Sequence, residues 1–298
     1  MGVKVGVAGL GLMGSGLAKR LVGTGHEVAV YNRDRSKAER ISGAAVAQTP
    51  MDLASSCELV ITVVTDYDAV RQVMLGNGGI SKSSNKPIVA DASTISPLQS
   101  KQMAESLRQA GIEMLGMPVM GGPAAAESGD LIPVVAGSRQ AYERARPVIE
   151  TLGKKAFYIG EKDGSANSVK LALNLNIALI ATAVSEGITL ARASGIDPAV
   201  FVDILNSTYF KTGLSEKKGP MMVKNDFTPS FHLKNMLKDL ELATSTAQQA
   251  GITLPVTALV QQVYRAANNS GFSESDYTAV CAFLAKINGM EKNEAGKD

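Results

Sequence analysis

Cysteine and histidine are both scarce: Cys57 and Cys281, His26 and His232 are all that 298 residues contain. None of the four belongs to a Cys-x-x-Cys pair or a His/Cys cluster. That excludes a disulfide framework and a zinc-type centre, so no metal is expected. Both thiols are expected to be reduced and buried, as in a cytoplasmic protein. An excess of charge of one sign is missing too. Lys and Arg total 30 against 28 Asp and Glu, leaving +2, and the basic residues are scattered. Bulk charge therefore argues for neither nucleic acid nor a membrane surface as partner. Long apolar runs are lacking as well. "IALIATAV" is far shorter than a membrane span and runs on into Glu186. The chain opens on a strand-like "VKVGVAGLG" with no signal peptide pattern, and it shows no internal repeat or low-complexity linker.

What is present is 45% hydrophobic residues, enough for a sizeable core and, by length, for two domains. Short β-branched runs at Val3–Val7, Glu27–Tyr31, Leu59–Val64, Pro87–Asp91, Ile112–Leu115, Ile132–Ala136 and Lys155–Ile159 predict strands. Helical patterns such as Met13–Thr24 and Pro97–Ala110 separate them. This alternation predicts a mainly parallel sheet built from βαβ units. After Gly164 the strands stop. "SANSVKLALNLNIALIATAVSEGITLARAS" has no proline and one glycine, Gly187, and reads as one long buried helix. Asp197 and Pro198 then supply a helix cap and first turn. Further helices are expected at Asn235–Ala250, Pro255–Asn268 and Ser275–Lys286. The polar tail "EKNEAGKD" is expected to fray. The fold class is thus α/β: a Rossmann-type dinucleotide-binding domain over residues 1–163, an interdomain helix over 164–194, and an all-α C-terminal domain over 195–298.

The segment Gly9-Leu10-Gly11-Leu12-Met13-Gly14 has G-x-G-x-x-G spacing. It follows a strand and opens a helix, the context that makes the pattern meaningful. Such a loop turns tightly at Gly9, lets a pyrophosphate approach at Gly11, and packs helix on strand at Gly14. At the end of the second strand, an acidic residue would take the ribose hydroxyls of NAD. Asn32 and Arg33 stand there instead. An arginine can stack on adenine and pair with a 2′-phosphate, so NADP is the expected cofactor and NAD the lesser possibility. Asp34, one residue on, is the competing carboxylate.

A nicotinamide enzyme needs a proton donor or acceptor beside the reacting carbon. Tyr158 and Lys162 have Tyr-x-x-x-Lys spacing, but "AFYIGEKDG" is a strand running into a turn, so the two side chains diverge. His26 reads as structural, while His232 beside Phe231 stays open. Lys170, in "GSANSVKLALN", is the better candidate. Its apolar neighbours suit either a lysine snorkelling to water or an amine kept for proton transfer.

Five ordered motifs decide the family: "GLGLMG", "DASTISP" (Asp91–Pro97), "MPVMGGP" (Met117–Pro123), "GSANSVKLALN" and "LKDLELA" (Leu237–Ala243). Together they resemble the β-hydroxyacid dehydrogenases, among them 3-hydroxyisobutyrate dehydrogenase, tartronate semialdehyde reductase and the glyoxylate/succinic semialdehyde reductases. The resemblance spans essentially the whole chain. It implies Lys170 as catalytic acid/base in a cleft between domains, with Asn174, one turn on, orienting substrate or lysine. It implies cofactor contacts from Val64, Thr65, Thr94 and Lys238. Thr94 would also face the substrate, together with Met120, Gly121, Gly122, Phe231 and Asp239. Gly121 and Gly122 would offer backbone N–H groups to a carboxylate, which Pro118 and Pro123 cannot. The family usually reads "DAPVSGG"; this chain has Gly116, Met117 and Met120 in place of aspartate, alanine and serine. The activity implied is hydride transfer between NADP(H) and a small 3-hydroxyacid or its semialdehyde, in a homodimer or homotetramer built through the helical domain. Imine reductases share the architecture but usually replace the lysine. Sugar-acid dehydrogenases of the 6-phosphogluconate type normally have a longer helical domain. Some relatives without the lysine are non-catalytic cofactor-binding oligomers. Retention of Lys170 and Asn174 separates this chain from the first and the last.

Overall fold

The structure is a computed structural model that describes residues 3–290; the polar tail at 291–298 lies outside the described residues. The chain forms two compact units, the first ending at Leu171 and the second beginning at Ala172.

In the first unit β1 (Lys4–Ala8), α1 (Leu12–Gly23), β2 (Glu27–Tyr31), α2 (Arg35–Glu39), β3 (Ala44–Val46), α3 (Pro50–Ser56), β4 (Leu59–Thr62), α4 (Tyr67–Leu75), β5 (Ile88–Asp91), α5 (Pro97–Gln109) and β6 (Met114–Gly116) follow one another. The six strands form one sheet in the order β3-β2-β1-β4-β5-β6, every pairing parallel. The order reverses between β1 and β4, which is the topological switch point of a Rossmann fold. The central strands β4 and β5 are buried at every position because helices cover both faces, so they read as continuous apolar runs. On one face Leu17, Ala18 and Leu21 pack on Val5, Val7 and Val30. On the other, Leu53, Met74, Met103 and Leu107 pack on Val60 and Val89. Local chemistry starts the covering helices. Thr49 caps α3 with Pro50 in its first turn, and Ser96 with Gln99 forms a capping box on α5 ahead of Pro97.

The unit continues with β7 (Val119–Met120), α6 (Pro123–Ser128), β8 (Ile132–Val135), α7 (Arg139–Ile149) and β9 (Phe157–Tyr158). β8 pairs antiparallel with β7 and parallel with β9. Neither β3 nor β7 was expected from the sequence. Three and two residues long, they are too short for any period to show.

Helix α8 (Ser165–Ala193) is as continuous as its composition predicts. By length and composition it could cross a membrane. Its Ala178, Ala181 and Ile188 are nonetheless fully buried in cores of the second unit, as in a core helix. Its buried Thr182 and Ser185 hydroxyls donate to the carbonyls of Ala178 and Ala181, so neither of these two hydroxyls is buried without a partner. α9 (Pro198–Ser207), α10 (Gly213–Val223), α11 (Leu233–Gln249), α12 (Pro255–Ala267) and α13 (Val280–Ile287) complete the second unit, around Leu237, Leu240, Tyr264 and Phe283. The last helix begins later than expected. Asp276 caps a tight turn over Tyr277–Ala279, and regular helix starts only at Val280.

Candidate functional site

The glycine loop lies where β1 enters α1. Gly9 has φ +96°, and a Cβ there would sit 2.2 Å from the Val63 carbonyl oxygen; one on Gly14 would sit 1.9 Å from the Gly9 oxygen. Both positions therefore require glycine. At Gly11 the reverse holds: a Cβ would meet nothing within 4 Å. Gly11 caps α1 with no side-chain hydrogen bond to the first turn, so no capping side chain competes for the N–H groups that phosphate binding would use. Leu10 is buried, Met13 half-buried and Leu12 exposed. The residues present fit a dinucleotide.

Asn32 braces this loop. Its Oδ1 accepts from the Leu10 N–H at 2.8 Å, and its Nδ2 donates to the Asp34 carbonyl at 2.9 Å. Arg33 is exposed beside it. The Asp34 carboxylate accepts from the Ser36 N–H and hydroxyl, capping α2. Those bonds hold its pKa below the ordinary value.

Across the switch point the C-terminal ends of β4 and β5 are joined by hydrogen bonds among buried groups. Thr62 Oγ1 donates to Asp91 Oδ1 at 2.7 Å, and the Ser93 N–H to the same oxygen at 3.2 Å. Ser93 Oγ accepts from the Val64 N–H at 3.0 Å. Val64 and Thr94 are half-buried and Thr65 exposed just beyond these anchors. Burial pushes the Asp91 carboxyl up to about 6, against the Thr62 and Ser93 bonds that favour its charge. The sequence reading missed Thr62, Asp91 and Ser93 as a group, although "DASTISP" already placed an acid at a strand end.

Lys170 is half-buried on the second turn of α8. Its ammonium donates to the Val119 carbonyl at 2.8 Å and stands 3.3 Å from Met120 Sδ. The lysine is thus held against the strand that leads into Gly121 and Gly122, both exposed. Asn167 anchors the same helix start by donating to the Ile95 carbonyl at 3.4 Å. Tyr158, the decoy, donates its hydroxyl to the Gly137 carbonyl and stacks on Tyr142.

In the second unit Asn174 and Asp239 are both buried, and the Asn174 amide donates to Asp239 Oδ2. Lys238 pairs with Asp239 Oδ1 at 2.9 Å. Phe231 packs edge-on against Tyr277. Three expected site residues, Asn174, Lys238 and Asp239, thus form one cluster, with Phe231 in the segment before α11. His232 sits at the N-cap of α11 with Nδ1 2.8 Å from the Glu274 carbonyl. His26 has a buried Nδ1 without a partner among the described residues.

Comparison with known proteins follows the same division. Residues 4–160 match the NAD binding domain of 6-phosphogluconate dehydrogenase, and residues 164–284 match the NAD-binding model of NADP-dependent 3-hydroxyisobutyrate dehydrogenase. Glyoxylate/succinic semialdehyde reductase 2 of Arabidopsis thaliana is 31% identical over 97% of this chain and 81% of its own. The 2-hydroxy-3-oxopropionate reductase of Escherichia coli K12 is 31% identical over 95% of this chain and 97% of its own. Among solved structures, a 3-hydroxyisobutyrate dehydrogenase of Salmonella typhimurium superposes with a TM-score of 0.86 at 25% identity, covering 94% of this chain and 99% of that one. With the glycine loop, the sheet order and these likenesses in hand, the chain belongs to the β-hydroxyacid dehydrogenase family of NAD(P)-binding oxidoreductases.

Proposed function

We propose that this protein is an NADP(H)-dependent 3-hydroxyacid dehydrogenase or short-chain semialdehyde reductase in which Lys170 is the general acid/base. The observation that carries the reading is the setting of Lys170, half-buried with its ammonium on the Val119 carbonyl and beside Met120 Sδ. A carbonyl contact at 2.8 Å fixes the direction of the Nζ without neutralising it. When bound, the nicotinamide supplies or accepts the hydride. In the reductive direction the Lys170 ammonium gives a proton to the developing alkoxide oxygen. In the oxidative direction its amine takes the hydroxyl proton. Backbone N–H groups of Gly121 and Gly122 hold the substrate carboxylate.

The preference for NADP is supported by two side chains. Arg33 is exposed at the end of β2, and Asp34 is committed to capping α2. Self-association through the helical unit belongs to the same reading. Leu190, Ile204, Val256 and Leu259 stand 59–70% exposed there, the kind of apolar surface that a second copy covers.

The test is a panel of glyoxylate itself and of the succinic, methylmalonate and tartronate semialdehydes with NADPH and NADH, followed by reduced-nicotinamide absorbance. Lys170→Ala should lower kcat by about 10²–10⁴-fold on the best substrate with NADPH binding unchanged. A folded variant that keeps more than about a tenth of kcat would remove the lysine from the chemistry.

A further inference from the structure

Asp91 is the last residue of β5 and 1% exposed, in register with Thr62 of β4 on one side and Gly116 of β6 on the other. Oδ1 accepts from Thr62 and from the Ser93 N–H. Ser93 passes the connection on to the Val64 N–H, while the Asp91 carbonyl takes the Met117 N–H at 2.7 Å. Thr62 and Ser93 are as buried as Asp91. The second carboxylate oxygen is buried without a hydrogen bond among the described residues. An isolated charge in such a place costs stability, so a carboxylate held here needs a reason. Its position suggests one. In a sheet ordered 3-2-1-4-5-6 the two mononucleotide halves bind on opposite sides of the switch point. The glycine loop, Asn32 and Arg33 serve the β1–β2 side. The ends of β4 and β5 belong to the other half, and Asp91 ties them together.

We propose that Asp91 is a positioning residue for the nicotinamide half of the cofactor, fixing residues 63–65 and 92–95 as one rigid edge through Thr62 and Ser93. The proposal rests on the reading that this edge binds NADP(H). It separates the two halves of the ligand, and the experiment uses that separation. Binding of NADPH (by fluorescence) and of adenosine 2′,5′-bisphosphate (by calorimetry) is measured for the wild type, Asp91→Ala, Asp91→Asn, Thr62→Val and Ser93→Ala, with thermal midpoints alongside.

Each lost hydrogen bond should weaken NADPH roughly 3–10-fold, and Asp91→Ala roughly 5–50-fold. The bisphosphate, which lacks the nicotinamide half, should change less than about 2-fold. Asp91→Asn keeps an acceptor at the Oδ1 position and should stay within about 3-fold of wild type for NADPH. Equal losses for both ligands would reveal general damage and overturn the proposal. So would an Asp91→Ala protein that binds NADPH like wild type, or an Asp91→Asn protein as weak as Asp91→Ala. Should Asp91→Ala not fold, Thr62→Val and Ser93→Ala decide alone. A wild type that binds neither ligand would fail the functional reading itself and this proposal with it, and the failure would be visible before any variant is made.

Discussion

Single residues set the chemistry this chain can offer, and Met120 is the one that departs most from its family. The usual serine would present a hydroxyl to the substrate; Met120 instead puts a thioether 3.3 Å from the Lys170 ammonium. Sulfur is a soft, weak acceptor and no donor. Apolar groups near the substrate C2 should therefore be accepted. An extra hydroxyl, as in tartronate semialdehyde, should lose about 1–3 kcal/mol for want of a partner. Met120→Ser should shift kcat/KM toward the polar substrate by roughly 5–100-fold relative to an apolar 3-oxo acid. An unchanged ratio would mean that the side chain turns away from the substrate. The residue type and its place in the loop were legible in "MPVMGGP". The contact with Lys170 was not, because it joins positions 51 and 50 residues apart in the two partner segments. Arg33 and Asp34 show the same limit. Their order along the chain left two registers open, with Arg33 or Asp34 at the ribose, and only the hydrogen bonds to Ser36 show Asp34 capping α2.

At the scale of elements, the segment before α11 depends on one buried ion pair. Lys218 of α10 and Asp276 are 8% and 0% exposed in their side chains, 2.9 Å apart. Asp276 also accepts from the Ser230 N–H and hydroxyl and from Thr278, and Lys218 reaches Ser230 at 3.0 Å. Burial pushes the Asp276 carboxyl up, but the Ser230 N–H, Lys218 and Thr278 outweigh it and hold it below its ordinary value. A depressed carboxyl stabilises the fold above its unfolded value of 3.8 and loses that contribution as pH falls through the lower folded value. Asp91 has the opposite sign. Its folded value near 6 makes the fold less stable as pH rises from 3.8 toward 6, by a total of about 3 kcal/mol. Asp91→Asn should thus gain stability over wild type at pH 8 and lose that gain near pH 4, read by denaturant melts at the two values. Lys218→Met should cost about 3–5 kcal/mol at neutral pH, since it strands the Asp276 charge. A cost below about 1 kcal/mol would mean that Ser230 and Thr278 suffice to hold it. Helices α8, α11 and α12 were readable because their periods repeat over several turns, whereas α10, with Gly219 and Pro220 inside it, was not expected. β3, β7 and the tight turn at Tyr277–Ala279 were not, since each is fixed by pairing or by a cap that no short window contains.

For the whole molecule, cofactor choice and stability are one measurement. A ligand that binds only the folded chain stabilises it by RT ln(1 + [L]/Kd), so preference between cofactors appears as a difference in thermal midpoint. Arg33 stands exposed at the end of β2, where the charge-assisted bonds of a guanidinium to a 2′-phosphate are worth about 1.5–3 kcal/mol. At equal saturating concentrations NADPH should then raise the midpoint above the NADH value. Arg33→Ala should erase most of that difference while leaving the NADH shift nearly intact. The expected loss is roughly 10–100-fold in NADPH affinity, and each kcal/mol moves the midpoint by about 2 °C in a chain of this size. Equal losses for both cofactors would show that Arg33 stacks on adenine without reading the phosphate. A wild type stabilised more by NADH would instead place the ribose contact on Asp34, whose Oδ1 alone takes the Ser36 bonds, and would overturn the reading of the β2 end.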